Sequence, residues 1–186
     1  MKNLLVISLF ASLFFQACTA QTRELTIGDK IPKFSLKNQD DSLVNINDYV
    51  GTKILVIYFY PKDESMVCTK EACTFRDSMP DFTKDGAMVI GINDGSVKSH
   101  KEFQQKHKLP FTLLSDSGNV VQKMFGLKGG ISEGRVTFIV DISGQIVFTY
   151  NSMLRGKEHV DKSLEFIREM NNKNIHEADS THSLPH

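Results

Sequence analysis

Lys53-Ile54-Leu55-Val56-Ile57-Tyr58-Phe59-Tyr60-Pro61, continued by Lys62-Asp63-Glu64-Ser65-Met66-Val67-Cys68-Thr69-Lys70-Glu71-Ala72-Cys73, is the stretch whose pattern decides the fold. From Ile54 to Tyr60 the run is unbroken and apolar, as in a strand buried on both faces. Pro61 stops it, because proline cannot donate to a sheet ladder. A short polar loop follows. Ala72, Phe75, Met79 and Phe82 then recur at three- and four-residue spacing and predict a helix over residues 66–83. Cys68 therefore falls in the first turn of a helix that follows a buried strand. Free backbone N–H groups and the positive end of the helix dipole favour a thiolate there.

Outward from this stretch, residues 31–48 alternate loosely around Asn38-Gln39-Asp40-Asp41 and predict an N-terminal β-hairpin. Ala87 to Ile92 reads as a second buried strand, and Ser96 as the cap of a helix running to about Lys108. Residues 111–114 read as a short strand and 120–125 as a short helix. Val136–Val140 and Gln145–Tyr150 flank Asp141-Ile142-Ser143-Gly144, a strong hairpin signal. Val160, Leu164, Ile167 and Met170 share one face of a last helix. Strand and helix alternate through the middle and a hairpin closes the sheet. The expectation is an α/β domain over residues 28–171, with a central mixed β-sheet flanked by helices in three layers. A linker over 18–27 precedes it, and the polar, unpatterned residues 172–186 are expected to form a mobile tail.

The chain has 186 residues, 40% of them hydrophobic, enough for one domain with a sizeable core and no obligatory metal or disulfide staple. Lysine plus arginine equals aspartate plus glutamate, 22 each, which speaks against a basic nucleic-acid footprint. No motif calls for a cofactor or a metal. Residues 1–17 place Lys2 ahead of an apolar run from Leu4 to Phe15, too short for a bilayer span and typical of a secretory signal. Cys18 after Ala17 resembles the lipidated first residue of an exported lipoprotein, although Phe15 and Gln16 depart from the usual signal; cleavage after Ala20 is the competing reading. The expected location is the periplasm or cell envelope, with membrane attachment through Cys18. A disulfide can persist there.

Ionisation alone does not make a fast thiol enzyme, since a less basic thiolate is a weaker nucleophile. Something must also stabilise the departing oxygen. Ser65, three residues before Cys68, can face the sulfur across the loop or serve as a plain helix cap. Arg135, at the start of the strand Val136–Val140, can supply a fixed guanidinium to an anion formed as an O–O bond breaks, or can be a surface charge at a strand end. Cys73 lies five positions after Cys68. On a continuous helix that is a rise of roughly 7.5 Å and side chains about 140° apart, beyond the reach of a disulfide. A bond between them requires the first turns to unwind. The spacing is also wrong for a zinc knuckle. A cycle of attack, unwinding and bridging through a sulfenic acid suits it; the alternative is that Cys73 is a core residue beside Ala72.

Tyr58-Phe59-Tyr60-Pro61-Lys62-Asp63 followed by Cys68-Thr69-Lys70-Glu71-Ala72-Cys73-Thr74-Phe75-Arg76-Asp77 closely resembles the atypical two-cysteine peroxiredoxins of the bacterioferritin comigratory protein, or peroxiredoxin Q, group. Gly134-Arg135-Val136-Thr137-Phe138-Ile139-Val140-Asp141 is similar to the same family's later motif. The resemblance runs from about Gly28 to about Met170. It implies a thioredoxin-like fold, reduction of hydrogen peroxide and organic hydroperoxides, recycling by a thioredoxin-like reductant, and a monomer. Cys68 matches the peroxide-attacking cysteine and Cys73 the resolving one. Pro61, Ser65 and Arg135 match the residues surrounding the attacking sulfur. The family usually carries threonine where Ser65 stands and Pro-Gly where Met66-Val67 stand. Two other readings stay open at this level: an exported thiol–disulfide oxidoreductase, against which the absence of C-x-x-C argues, and a non-catalytic envelope lipoprotein with structural cysteines.

Overall fold

The computed structural model describes residues 23–128 and 135–182, with side chains to residue 176. The leader, Cys18 and the Gly129-Gly130 loop lie outside the described residues. Seven strands form one mixed sheet: β1 (Ser35–Asn38), β2 (Leu43–Asn45), β3 (Ile54–Phe59), β4 (Ala87–Asn93), β5 (Thr112–Ser115), β6 (Val136–Val140) and β7 (Ile146–Asn151). Their order is β2-β1-β5-β4-β3-β6-β7. The β3–β4 and β4–β5 pairs are parallel; the N-terminal hairpin, the β1–β5 pair and the β3–β6 and β6–β7 pairs are antiparallel.

Every residue of β3 is buried. Ile54, Val56 and Tyr58 pack on one face with Ala72, Phe75, Phe82, Phe103 and Ile167; Leu55, Ile57 and Phe59 pack on the other with Phe34, Ile46, Val121 and Phe125. Helices flank the sheet as expected, but unequally. α1 (Met66–Asp77), α2 (Met79–Lys84), α3 (Val97–His107) and α5 (Gly156–His182) contribute to the first face, whereas the five-residue α4 (Val120–Met124) is the α-helix whose residues enter the second core. At Gly91 a Cβ would lie 2.7 Å from the Tyr58 ring, so only glycine lets that ring lie across the sheet.

Three expectations are revised. The helix over 66–83 is two helices, broken at Ser78; Pro80, which has no N–H to donate, sits at the start of α2. Residues 23–27 are not a free linker: the Leu25 N–H donates to the Phe125 carbonyl, and Arg23 and Thr26 both bond Asp29. The stretch from Asn172, read as an unpatterned tail, continues α5 to His182, since no proline or glycine interrupts it before Pro185. Among the described residues no helix is long and apolar enough to cross a membrane.

Candidate active site

β3 ends at Phe59, Pro61 turns the chain, and α1 begins at Met66, so Cys68 sits in the first helical turn. Ser65 is the N-cap: its Oγ accepts from the Cys68 N–H at 3.4 Å, a contact of a kind worth about 1 kcal/mol. Ser65 Oγ thus meets the backbone of Cys68 while Ser65 and Cys68 line one cavity. Glu64, just before the cap, has φ 59°, a left-handed conformation that costs a non-glycine residue about 1–2 kcal/mol. Its carboxylate is met by Lys106 Nζ at 2.5 Å and His107 Nε2 at 3.2 Å. Exposed ion pairs of this kind contribute about 0.2–1 kcal/mol each, so strain and contacts nearly cancel.

The sheet register explains how Arg135 reaches Cys68. β3 and β6 are antiparallel, with Phe59 opposite Val136, so the end of β3 and the start of β6 share one sheet edge. Arg135 is 2% exposed. Its Nη2 donates to Cys68 Sγ at 2.9 Å, its Nη1 donates to the Met153 carbonyl at 3.1 Å, and its Nε lies 2.7 Å from Glu71 Oε2. Three fixed directions use the planar fork that a lysine lacks. The cation and the N-terminus of α1 both lie beside the sulfur.

Glu71 follows Cys68 by three residues and shares its buried helix face. The Glu71–Arg135 contact is close but not aligned as a hydrogen bond; His159 Nδ1 lies 3.8 Å from Oε1, and neither carboxylate oxygen accepts a hydrogen bond among the described residues. Burial pushes the Glu71 carboxyl up to about 8, with the Arg135 charge pulling the other way. Behind it, His159 Nε2 faces the Ser152 carbonyl at 3.0 Å and so carries the proton, leaving Nδ1 to accept from the Thr137 hydroxyl at 2.8 Å. Burial lowers His159 to about 4. On the other side of the loop, Asp63 Oδ1 accepts from Tyr60 Oη and Asn93, and Oδ2 from Ser99 and His100.

Cys68 is 1% exposed, yet it lines a cavity of about 900 Å³ with Pro61, Ser65, Arg135 and Met153. Pro61, Ser65, Cys68 and Arg135 therefore meet at one cavity. Cys73 is half-buried and also a free thiol, outside the cavity lining. A strand end, a capped helix and a guanidinium converge on one sulfur at the floor of a roomy, partly apolar pocket.

Residues 27–149 match the AhpC/TSA family. The chain is 44% identical to a chloroplastic peroxiredoxin Q of Suaeda salsa over 146 residues, covering 77% of this chain and 68% of the relative. It is 43% identical to the corresponding protein of Sedum lineare over 150 residues, 79% and 80% of the two chains. The chain belongs to the AhpC/TSA family. Within it, this peroxiredoxin stands with the peroxiredoxin Q group and is a thiol-dependent peroxidase. Among solved structures it resembles the peroxidoxin BcpB of Mycobacterium tuberculosis, with a TM-score of 0.74, 28% identity and 78% and 98% of the two chains covered. A cysteine-to-serine mutant of the Xylella fastidiosa peroxiredoxin Q gives 0.73, 27%, 80% and 98%. The thioredoxin-like fold expected from the motifs is that of these structures.

In this peroxiredoxin four polar residues of the site had no assigned role in the sequence reading. Glu71 had a signal, a charge three positions after Cys68 on a helix face that must be buried. Thr137 had a weaker one, two positions after Arg135 and so on the same side of β6. Asp63 and His159 had none, because their partners come from distant parts of the chain.

Proposed function

We propose that Cys68 is the peroxide-attacking cysteine and Cys73 the resolving one. The observation that carries this reading is the Arg135 Nη2–Cys68 Sγ contact of 2.9 Å at the floor of the cavity. The Cys68 thiolate attacks the terminal oxygen of a hydroperoxide ROOH. The S–O bond forms as the O–O bond breaks, and the departing RO⁻ takes a proton to become an alcohol, or water when R is hydrogen. Arg135 is positioned to hold the charge that moves onto that oxygen. The bond between the Cys68 amide and Ser65 Oγ is long, so either group can turn to a bound peroxide oxygen. Pro61 lines the same cavity as the sulfur. The Cys73 thiolate then attacks the Cys68 sulfur: the S–S bond forms as the S–O bond breaks, and the departing hydroxide takes a proton to leave as water. A dithiol protein of the thioredoxin kind reduces that disulfide and completes the cycle. Treating the reduced protein with one equivalent of hydrogen peroxide is expected to lower its intact mass by two hydrogens. Cys68→Ser is expected to abolish peroxidase activity, and full activity in that variant would overturn the reading. Protein-disulfide reduction without peroxide is not expected, and an insulin-reduction assay checks this.

Residues 1–17 are proposed to act as an export signal, with Cys18 as the lipidated first residue of a monomer attached to the cell envelope. The plant relatives are named as chloroplastic. Residues 1–20 here contain no arginine and a largely apolar run, interrupted by Ser8 and Ser12, unlike the amphipathic, arginine-rich pattern of a transit peptide. In a bacterial host that processes lipoproteins, the full chain is expected in the membrane fraction and a Cys18→Ser variant in the soluble one. Sedimentation is expected to give the mass of one chain.

A further inference from the structure

The disulfide requires residues between Glu64 and Arg76 to change conformation, and both ends of that segment are held by one turn of α3. At the first end, Lys106 and His107 grip the Glu64 carboxylate. At the other, Arg76 Nη1 donates to the His107 carbonyl at 2.8 Å. That turn is well anchored. Phe103 is fully buried and its ring lies 5.0 Å from the His107 ring, while His100, one turn earlier, bonds Asp63 and the Leu114 carbonyl. The unwinding segment therefore runs between two points pinned to a rigid element. The first pin is the weaker: it is half exposed, and it holds a residue at φ 59°. Release at Glu64 frees a strained backbone immediately before the Ser65 cap, the cap fails next, and the turn carrying Cys68 opens. The Arg76 pin stays, close beside Cys73. Arg76 follows Cys73 by three residues on α1, one turn along the same side of the helix.

We propose that Glu64, held by Lys106 and His107, is a positioning residue that governs how fast the Cys68 sulfenic acid is resolved by Cys73. It acts through the helix start rather than on the peroxide. This rests on the assignment of Cys68 and Cys73 made above.

The test is rapid-quench mass spectrometry of the reduced full chain mixed with hydrogen peroxide. It follows the species heavier by one oxygen and its conversion to the disulfide. Glu64→Gln keeps the size and removes the charge. It is expected to speed disulfide formation two- to fivefold and to lower the yield of sulfinic acid at high peroxide by a similar factor. The bimolecular rate of Cys68 oxidation should stay within a factor of two. Lys106→Ala is expected to act in the same direction, and the double variant to add little to Glu64→Gln. A disulfide-formation rate unchanged in Glu64→Gln, or fully independent effects in the double variant, overturns the role of the contact. If the unmodified chain stops at the oxygen adduct, the assignment of Cys73 fails instead, so the two failures are distinguishable.

Discussion

Asp63 and Glu71 lie on either side of Cys68 in the chain, five residues before it and three after, and both are buried acids. Asp63 receives four hydrogen bonds, from Tyr60 of its own loop, Asn93 of β4, and Ser99 and His100 of α3. Burial alone would raise its carboxyl, but the bond from His100, its charge, and the bonds from Ser99 and Tyr60 outweigh that and hold it below the usual range. Glu71 is fully buried beside the Arg135 guanidinium and, at 3.8 Å, Nδ1 of the His159 ring, with no aligned donor on either oxygen, and burial wins. Depth therefore does not set the charge of an acid here; the number of donors aimed at it does. Asp63 ties the loop to the sheet and α3. Glu71 leaves Arg135 with donors directed elsewhere, at Cys68 and the Met153 carbonyl.

The sharpest way to break this contrast is to remove the well-bonded acid. Asp63→Ala leaves four groups without an acceptor, and a loss of about 3–5 kcal/mol is expected, as when one partner of a buried pair is deleted. Thermal unfolding should show a fall of about 10 °C. Next, Arg135→Lys keeps a cation but cannot serve Cys68, Glu71 and Met153 together. The rate of peroxide reduction is expected to fall by about 10²–10³, as for loss of one charge-stabilising donor. Its melting temperature should fall less than that of Asp63→Ala.

pH dependence separates the two acids further. Between pH 6.5 and 8 the folded chain keeps the Glu71 proton that the unfolded chain has released, so stability falls as pH rises. One proton is worth about 1.4 kcal/mol per pH unit, giving a loss of about 2 kcal/mol across that window. Between about 4.5 and 6.5 His159 opposes this, since it is neutral when folded and protonated when unfolded. A plateau is therefore expected there, with a decline above it, in urea unfolding measured against pH. The smallest effect is expected for Glu71→Gln near pH 6: under about 1 kcal/mol, because the replaced group is already neutral. The same variant should flatten the decline above pH 6.5. A decline of unchanged slope in it would mean that another group is responsible.

Much of the fold was legible because β3 and β4 are apolar on both faces and the hairpins carry turn residues at the right spacing. The break between α1 and α2 was also readable, since Pro80 stood inside the proposed helix. The apolar periodicity simply continued across it, through Met79 and Phe82. Cys68 and Arg135 could be paired from motif and order, and the sheet register brings them together. Neither the Asp63 cluster nor the left-handed Glu64 could be read from the chain, because both depend on α3 packing over the loop. Helix propensity carried α5 past Asn172, where the lack of apolar periodicity had suggested that it stopped.

The Tyr58–Gly91 crossing has a consequence for how this sequence can change. The Tyr58 hydroxyl is buried without a partner among the described residues, and a Cβ at position 91 would collide with the ring. Leu113 Cδ2 would lie 2.9 Å from the same Cβ, so residue 91 cannot grow until residue 58 has shrunk and Leu113 has given way, and the substitutions have an obligatory order. Tyr58→Phe removes only the orphaned oxygen and keeps the stacking on Phe75 and Tyr60. That step is open to drift, whereas Gly91→Ala on the present background is closed.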